Sequence, residues 1–90
     1  MKELELQYVG PIATLANLLA ERYTTQTATL RALIKELDAR HPGLLQMFVN
    51  PQTGQLNLNT MIYYGDPGQI PAPVLNLDHP IQDGGTVTFW

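Results

Sequence analysis

The side chains of this sequence that could take part in acid–base or metal chemistry are two histidines and two pairs of carboxylates. His41 and His79 each precede a proline, and their spacing resembles no metal site. We expect His41 to lie near a helix C-terminus, where a partial positive charge is favourable, and His79 to lie in a turn. Neither histidine is therefore predicted to act as a base or a ligand.

The carboxylate pairs also fit structural roles better than catalytic ones. Glu3 and Glu5 are two residues apart in an alternating segment, which places both on the exposed face of a strand. Asp78 and Asp83 flank a turn, where such side chains commonly accept hydrogen bonds from local amides. No apolar pocket that would raise a carboxyl pKa accompanies either pair.

The sequence lacks the residues needed for covalent catalysis and for a phosphate-binding loop. The chain contains no cysteine and no serine, and its threonines have no adjacent base. The segment Gly65-Asp66-Pro67-Gly68 lacks the Lys-Ser/Thr that completes a phosphate-binding loop, and Asp83-Gly84-Gly85 is typical of a hairpin turn. We therefore predict a protein that is not an enzyme and that uses no metal or cofactor.

Size and charge narrow the classes further. A chain of 90 residues allows one domain, here 1–90. Five basic residues against eight acidic ones give a net charge of −3, which is too little positive charge for nucleic-acid binding. No apolar run reaches the roughly 20 residues that span a bilayer, and the acidic start is not a signal peptide. We expect a cytoplasmic protein that binds neither nucleic acid nor membrane.

Hydrophobic periodicity predicts the elements of the first half of the chain. Alternating apolar residues predict a strand over Lys2–Val9, which Gly10-Pro11 ends. Apolar residues at helical spacing between Ile12 and Tyr23 predict a short amphipathic helix, and the β-branched run Tyr23–Thr27 predicts a second strand.

The clearest helix follows Thr29, which is a good N-cap residue. Leucine and isoleucine repeat at helical spacing from Leu30 to Leu37, and charged residues cover the other side. His41-Pro42-Gly43 should end this helix, because the residue before a proline is pushed out of the α region.

The second half is predicted to be mostly extended. Leu56–Tyr64 carries the densest strand signal, and the proline-rich stretch Asp66–Pro73 predicts an irregular loop. We expect a short extended piece at Leu75–Leu77 and a final strand over Thr86–Trp90. This order of elements predicts an α+β domain in which a mixed sheet packs on one main helix.

Several segments together carry a family resemblance. Tyr8–Ile12 follows a leading strand, Ala28–Leu33 opens a helix that closes with Ala39–Leu44, and Leu77–Val87 forms a last turn and strand. In this order and length they resemble the small ubiquitin-like sulfur carriers of the MoaD/ThiS type, which include the small subunit of molybdopterin synthase and the thiamin-pathway carrier. The resemblance implies a ubiquitin-like β-grasp fold, with four to five strands packed on one main helix.

The function of those carriers rests on their last residues. Their final strand continues into a tail ending in Gly-Gly, whose carboxylate is adenylated and converted to a thiocarboxylate that donates sulfur. Glycine is required there because the tail threads a narrow channel that a side chain would obstruct. In this sequence the match stops at Trp90, and Gly84-Gly85 is no substitute because strand residues follow it. The sequence as it stands therefore predicts a poor sulfur carrier.

An aromatic cluster is the better candidate site. Alternation divides the two strands that the resemblance places side by side into a core set and an exposed set, and it leaves open which side of the last strand faces outward. One set is Ile62, Tyr64, Val87 and Phe89. The other set, predicted to dock a partner, is Met61, Tyr63, Thr88 and Trp90. Exposed Met, Tyr and Trp are typical of protein-binding surfaces, and partner enzymes dock on this open face in the resembled carriers.

Two functions follow from these observations. The first is a small non-catalytic accessory or interaction subunit that docks a protein partner, an activating enzyme or the large subunit of a synthase, through its open sheet face. The alternative is a sulfur carrier for molybdopterin- or tungstopterin-type cofactor biosynthesis, whose Gly-Gly tail is absent from this sequence. A tail beyond Trp90 would decide between them.

Overall fold

The structure is a computed structural model that describes residues 1–90, and it consists of one mixed sheet with helices across one side. The strands are β1 (Lys2–Tyr8), β2 (Ala20–Thr25), β3 (Ile62–Gly65), β4 (Ala72–Pro73) and β5 (Thr86–Phe89). The helices are α1 (Pro11–Ala16), α2 (Leu30–Arg40) and α3 (Leu44–Phe48). The strand order is β2-β1-β5-β3-β4, in which β1 and β5 are parallel and all other neighbours are antiparallel. The predicted α+β architecture is confirmed.

One side of the sheet and the helices enclose the core. The alternate residues Leu4, Leu6 and Tyr8 of β1 are buried, as their spacing predicts. Helix α2 covers this side of the sheet with a stripe made of Leu30, Leu33, Ile34 and Leu37. This packing leaves the opposite side of the sheet, called the outer face below, without a helix.

Helix α2 begins and ends where the sequence predicts. The Thr29 hydroxyl accepts a hydrogen bond from the Ala32 amide at 3.2 Å, which satisfies one of the free amides of the first turn. The helix ends at Arg40, and His41, the residue before Pro42, leaves the helical conformation with a ψ of 79°.

The first helix is shorter than predicted. Helix α1 ends at Ala16, because Asn17 adopts the left-handed conformation with a φ of 60°. Leu19, expected on its apolar side, is 75% exposed, and Tyr23 lies within β2. Strand β2 accordingly begins at Ala20, three residues before the predicted start, and ends at Thr25 rather than Thr27.

The segment between the main helix and β3 also differs from the expectation. Helix α3 was not predicted, and its start is bound by Asp38, whose Oδ1 accepts from the amides of Gly43 at 3.1 Å and Leu45 at 3.0 Å. Only the end of the expected strand Leu56–Tyr64 is regular, because Asn57 donates to the carbonyls of α3 and turns the chain.

The proline-rich part of the chain differs from the prediction at β4. Within the predicted loop Asp66–Pro73, Ala72 and Pro73 form the two-residue edge strand β4 beside Tyr64 and Tyr63. The expected short extended piece Leu75–Leu77 lies outside the sheet. The Leu77 side chain is buried in the core.

Candidate functional site

The outer face of the sheet carries the predicted docking residues. Strand alternation buries Ile62 and Tyr64 of β3 beneath the helices, together with Val87 and Phe89 of β5. The other set therefore faces outward, and it consists of Met61, Tyr63, Thr88 and Trp90. The sequence left open which side of the last strand faces outward, and in the structure this is the side that carries Thr88 and Trp90.

Tyr63 and Trp90 form an aromatic pair on this face. Their ring centroids are 6.3 Å apart with an angle of 61° between the planes, an edge-to-face contact. The Trp90 amide donates to the Met61 carbonyl at 2.9 Å, so the backbone pairing of β3 and β5 continues one residue past β5. Trp90 is 53% exposed, whereas Tyr63 and Met61 are half-buried. Three of the four predicted residues thus present apolar surface to solvent.

Thr88 occupies a different position from the other three. It lies on the outer face as predicted, but it is only 8% exposed. Its neighbours across the two ladders are Gln7 on β1 and Tyr63 on β3, and its hydroxyl donates to Gln7 Oε1 at 3.1 Å. Thr88 is therefore covered by the side chains of Gln7 and Tyr63 and has little surface left to contact a partner.

His41 belongs to a partly buried polar cluster that the sequence pattern does not predict. The Tyr8 hydroxyl donates to Glu21 Oε2 at 2.8 Å, and His41 Nε2 lies 3.4 Å from the same oxygen. Arg40 Nη1 donates to Glu21 Oε1 at 2.9 Å. Every member of the cluster contacts Glu21, a residue that the predicted secondary structure did not place in a strand.

The cluster changes the acidity of two of its members. Burial raises the pKa of Tyr8, and the hydrogen bond to Glu21 raises it further. Burial also acts to raise the pKa of Glu21, but the hydrogen bonds from Tyr8 and His41 and the charge of Arg40 outweigh burial and hold it below its ordinary value. A neutral Tyr8 and an ionised Glu21 fit a structural role in hydrogen bonding and ion pairing rather than proton donation in catalysis.

The other residues considered for chemistry are engaged in local contacts. His79 Nδ1 lies 2.7 Å from the Pro80 carbonyl. Asp78 Oδ1 accepts from Arg31 Nε at 2.8 Å, and this hydrogen bond lowers the pKa of Asp78. Asp83 Oδ1 accepts from the Glu3 amide at 2.7 Å.

Gly84 and Gly85 have a structural purpose in the turn before β5. Gly84 adopts a φ of +83°, which is unfavourable for other residues. A Cβ on Gly85 would lie 2.8 Å from the Tyr64 hydroxyl and 3.0 Å from the Gln82 carbonyl oxygen. The Tyr64 hydroxyl accepts from the Gln82 amide at 2.7 Å and donates to Asp66 Oδ1 at 2.8 Å, so it links the two loops beside this turn.

The cavities of the protein contain no assembled reactive group. The largest is a groove of about 640 Å³ between α2 and the end of α3, with Arg31, Lys35 and Leu45 in its walls. No three His, Asp or Glu side chains lie close enough together to hold a metal ion. The helices are all too short to cross a membrane.

The fold has counterparts among solved structures. It superposes on the small archaeal modifier protein 1 of H. volcanii with a TM-score of 0.71 at 19% identity, covering 99% of this chain and 95% of that one. A protein assigned as molybdopterin converting factor, subunit 1, from Pyrococcus furiosus gives a TM-score of 0.68 at 18% identity, with coverage of 99% and 95%. A chain of the Amycolatopsis orientalis BexX/CysO complex gives 0.70 at 18% identity, with coverage of 97% and 92%.

Sequence comparison adds nothing to these structural matches. No family model matches the chain, and no curated protein matches it. At identities below one fifth, the superpositions establish the architecture. The protein therefore has the ubiquitin-like β-grasp fold that the resemblance to the MoaD/ThiS-type sulfur carriers predicts.

Proposed function

We propose that this protein is a small non-catalytic interaction subunit that docks a partner enzyme through the outer face of its sheet. The observation that carries the proposal is the exposed Trp90 ring packed against Tyr63 on the side of the sheet that no helix covers. The partner is an activating enzyme or the large subunit of a synthase. The BexX/CysO complex supports this proposal, because a protein of the same fold is found there in an assembly.

The chemistry of the face suits protein binding. Tryptophan and tyrosine are enriched among the residues that dominate binding energy, because they bury a large area at little cost in side-chain entropy. Met61 adds an adaptable apolar side chain beside Trp90. The edge-to-face contact and the backbone pairing of Trp90 hold the aromatic pair in place before binding, which reduces the entropy lost on association.

The lack of a catalytic role is supported by the contacts of the reactive side chains. His41 and Glu21 bind each other within a cluster that also contains Tyr8 and Arg40. Asp78 is paired with Arg31. A catalytic site needs a nucleophile or base aimed into a pocket, and these side chains are used to hold the fold together.

Site-specific photo-crosslinking tests the proposal directly. A benzophenone amino acid is placed at Tyr63 or Trp90 on the outer face, and at Lys35 on the exposed side of α2 as the matched control. The proposal expects the same partner enzyme to be captured from both outer-face positions and not from position 35. Equal capture from all three positions would contradict it.

The alternative function is a sulfur carrier whose Gly-Gly carboxylate follows Trp90. Its support is the shared fold of the molybdopterin converting factor subunit. Incubation of the gene product with an activating enzyme, ATP and a sulfur donor, followed by intact-mass measurement, separates the two functions. The interaction-subunit function predicts that neither an adenylate nor a thiocarboxylate forms. A mass increase equal to the exchange of one carboxylate oxygen for sulfur would favour the carrier.

A further inference from the structure

The charged residues of the protein are divided unequally between the two sides of the sheet. Glu3 and Glu5 of β1 point to the outer face, and Asp83 lies in the adjoining turn. Arg22 of β2, opposite Glu5 in the ladder, is the only basic residue on this face. The outer face is therefore acidic at the end of the sheet away from Trp90.

The charges on the helix side nearly cancel by comparison. Its four basic residues are Lys2, Arg31, Lys35 and Arg40. Its acidic residues are Glu21, Glu36, Asp38 and Asp78, together with Asp66, which accepts a hydrogen bond from the hydroxyl of the core residue Tyr64. The Lys2 ammonium donates to the Thr27 carbonyl at 2.7 Å, which holds it on this side. Most of the net charge of −3 thus lies on the side of the sheet that the helices leave open.

The carboxylates of the outer face are free to pair with an incoming cation. The Glu5 backbone is paired in the sheet, its amide donating to the Gly85 carbonyl at 3.0 Å, while its carboxylate has no hydrogen-bond or ion-pair partner within the protein. Glu3 Oε1 lies 3.8 Å from Arg22 Nη1, and both side chains are largely exposed. An exposed pair at this distance contributes little to stability, so a partner's cation can replace Arg22 at small cost.

The acidic and aromatic regions belong to one continuous surface. The ladders align Glu5 with Thr86 in one row and Gln7 with Thr88 and Tyr63 in the next, and Trp90 follows in the row beyond. Successive rows on one face of a sheet are roughly 7 Å apart. A single partner surface that reaches from Trp90 to Glu3 therefore spans about 20 Å, an ordinary width for a protein interface.

We propose that the partner docked on the outer face is a protein that presents an apolar pocket for Trp90 beside a cluster of lysine or arginine side chains for Glu3 and Glu5, an inference that rests on the function proposed above. The charge complementarity selects this occupant. The aromatic pair requires an apolar counterpart, whereas the exposed carboxylates would repel an acidic partner. Such edge charges act mainly on the rate of encounter, while the aromatic anchor sets the lifetime of the complex.

Binding kinetics with the partner recovered by crosslinking test the charge contribution separately from the aromatic contribution. The double variant Glu3→Gln/Glu5→Gln should lower the association rate about fivefold and leave the dissociation rate within about twofold of wild type. Raising the salt from about 0.1 M to about 1 M, which shortens the screening length from about 10 Å to about 3 Å, should slow association of wild type more than that of the double variant.

The matched control adds the same charge on the helix side. Gln46→Lys/Gln52→Lys changes two exposed residues there, and its association rate should stay within about twofold of wild type. Equal slowing by both double variants would overturn the inference, because net charge alone would then explain it. If Trp90→Ala instead dissociates from the partner at the wild-type rate, the proposed function is contradicted. The effect of the Glu3 and Glu5 charges is measured independently of that result.

Two further measurements need no partner. An oligolysine peptide titrated into the labelled protein should shift the amide resonances of Glu3, Glu5 and Thr86, and shifts centred on α2 would overturn the inference. Light scattering of the free protein should give a monomer. A dimer that Trp90→Ala dissociates would mean that a second copy of this acidic chain occupies the face, which contradicts a basic partner.

Discussion

The rings of Tyr63 and Trp90 meet edge to face on the outer face of the sheet, with their centroids 6.3 Å apart. The two residues are brought together by the antiparallel pairing of β3 and β5, which continues to Met61 and Trp90. Because Trp90 is 53% exposed while its backbone is held in the ladder, it presents a rigid apolar surface. This relationship is the physical basis of the proposed docking function.

Replacement of Gly85 by alanine should destabilise the fold by about 2 kcal/mol, because the added Cβ would overlap the Tyr64 hydroxyl. This Cβ would lie 2.8 Å from the Tyr64 hydroxyl oxygen and 3.0 Å from the Gln82 carbonyl oxygen. Urea denaturation gives the free energy of unfolding. In the Tyr64→Phe background the cost of Gly85→Ala should fall, since the nearest atom is gone. An unchanged cost there would show that the tyrosine hydroxyl is not what requires the glycine.

The stability of the protein should fall as the pH drops, in part through Glu21. The folded-state pKa of Glu21 lies below its ordinary value of 4.5, so its contribution is complete above that pH and is lost as the pH falls through the folded-state pKa. Glu21→Gln should therefore unfold more easily than wild type at about pH 7, with the difference narrowing in acid. Urea denaturation across this range measures the effect.

Tyr8→Phe provides the matched variant for Glu21. It removes the hydroxyl that donates to Glu21 at 2.8 Å and leaves the charge of the protein unchanged. Its pH dependence of stability should be weaker than that of wild type, because one of the bonds that lowers the pKa of Glu21 is lost. A difference between Glu21→Gln and wild type that stays constant from neutral to acidic pH would contradict this account.

Thr88→Val should leave partner affinity within about threefold of wild type, because Thr88 is covered by Gln7 and Tyr63. The substitution keeps the shape of the side chain and removes a hydrogen bond of 3.1 Å, so a stability change of about 1 kcal/mol is expected. Isothermal titration and thermal unfolding measure the two quantities. A large loss of affinity without a loss of stability would show that Thr88 itself contacts the partner.

The sequence predicts best the parts of the fold that depend on local patterns. Helix α2 combines an N-cap at Thr29, an apolar stripe and a proline after its end, and each signal lies within the segment itself. The outward position of Met61 and Tyr63 follows from strand alternation once their neighbours are buried.

The parts that the sequence did not predict depend on distant contacts. Helix α3 has only five residues, and its first amides are bound by Asp38 of the preceding helix. The edge strand β4 forms because β3 lies beside it, despite Pro73. The burial of Thr88 requires side chains from two other strands. The cluster around Glu21 likewise joins β1, β2 and the end of α2.

The most direct test of the central claim is the affinity of the purified partner enzyme for Tyr63→Ala and Trp90→Ala, measured by isothermal titration. Truncation of an aromatic anchor typically costs about 2 kcal/mol or more, so each variant should bind about 30-fold more weakly than wild type at little change in thermal stability. Ile70→Ala, which removes an exposed apolar side chain from the loop that follows β3, is the control and should bind like wild type. Wild-type affinity in both aromatic variants would contradict docking through the outer face.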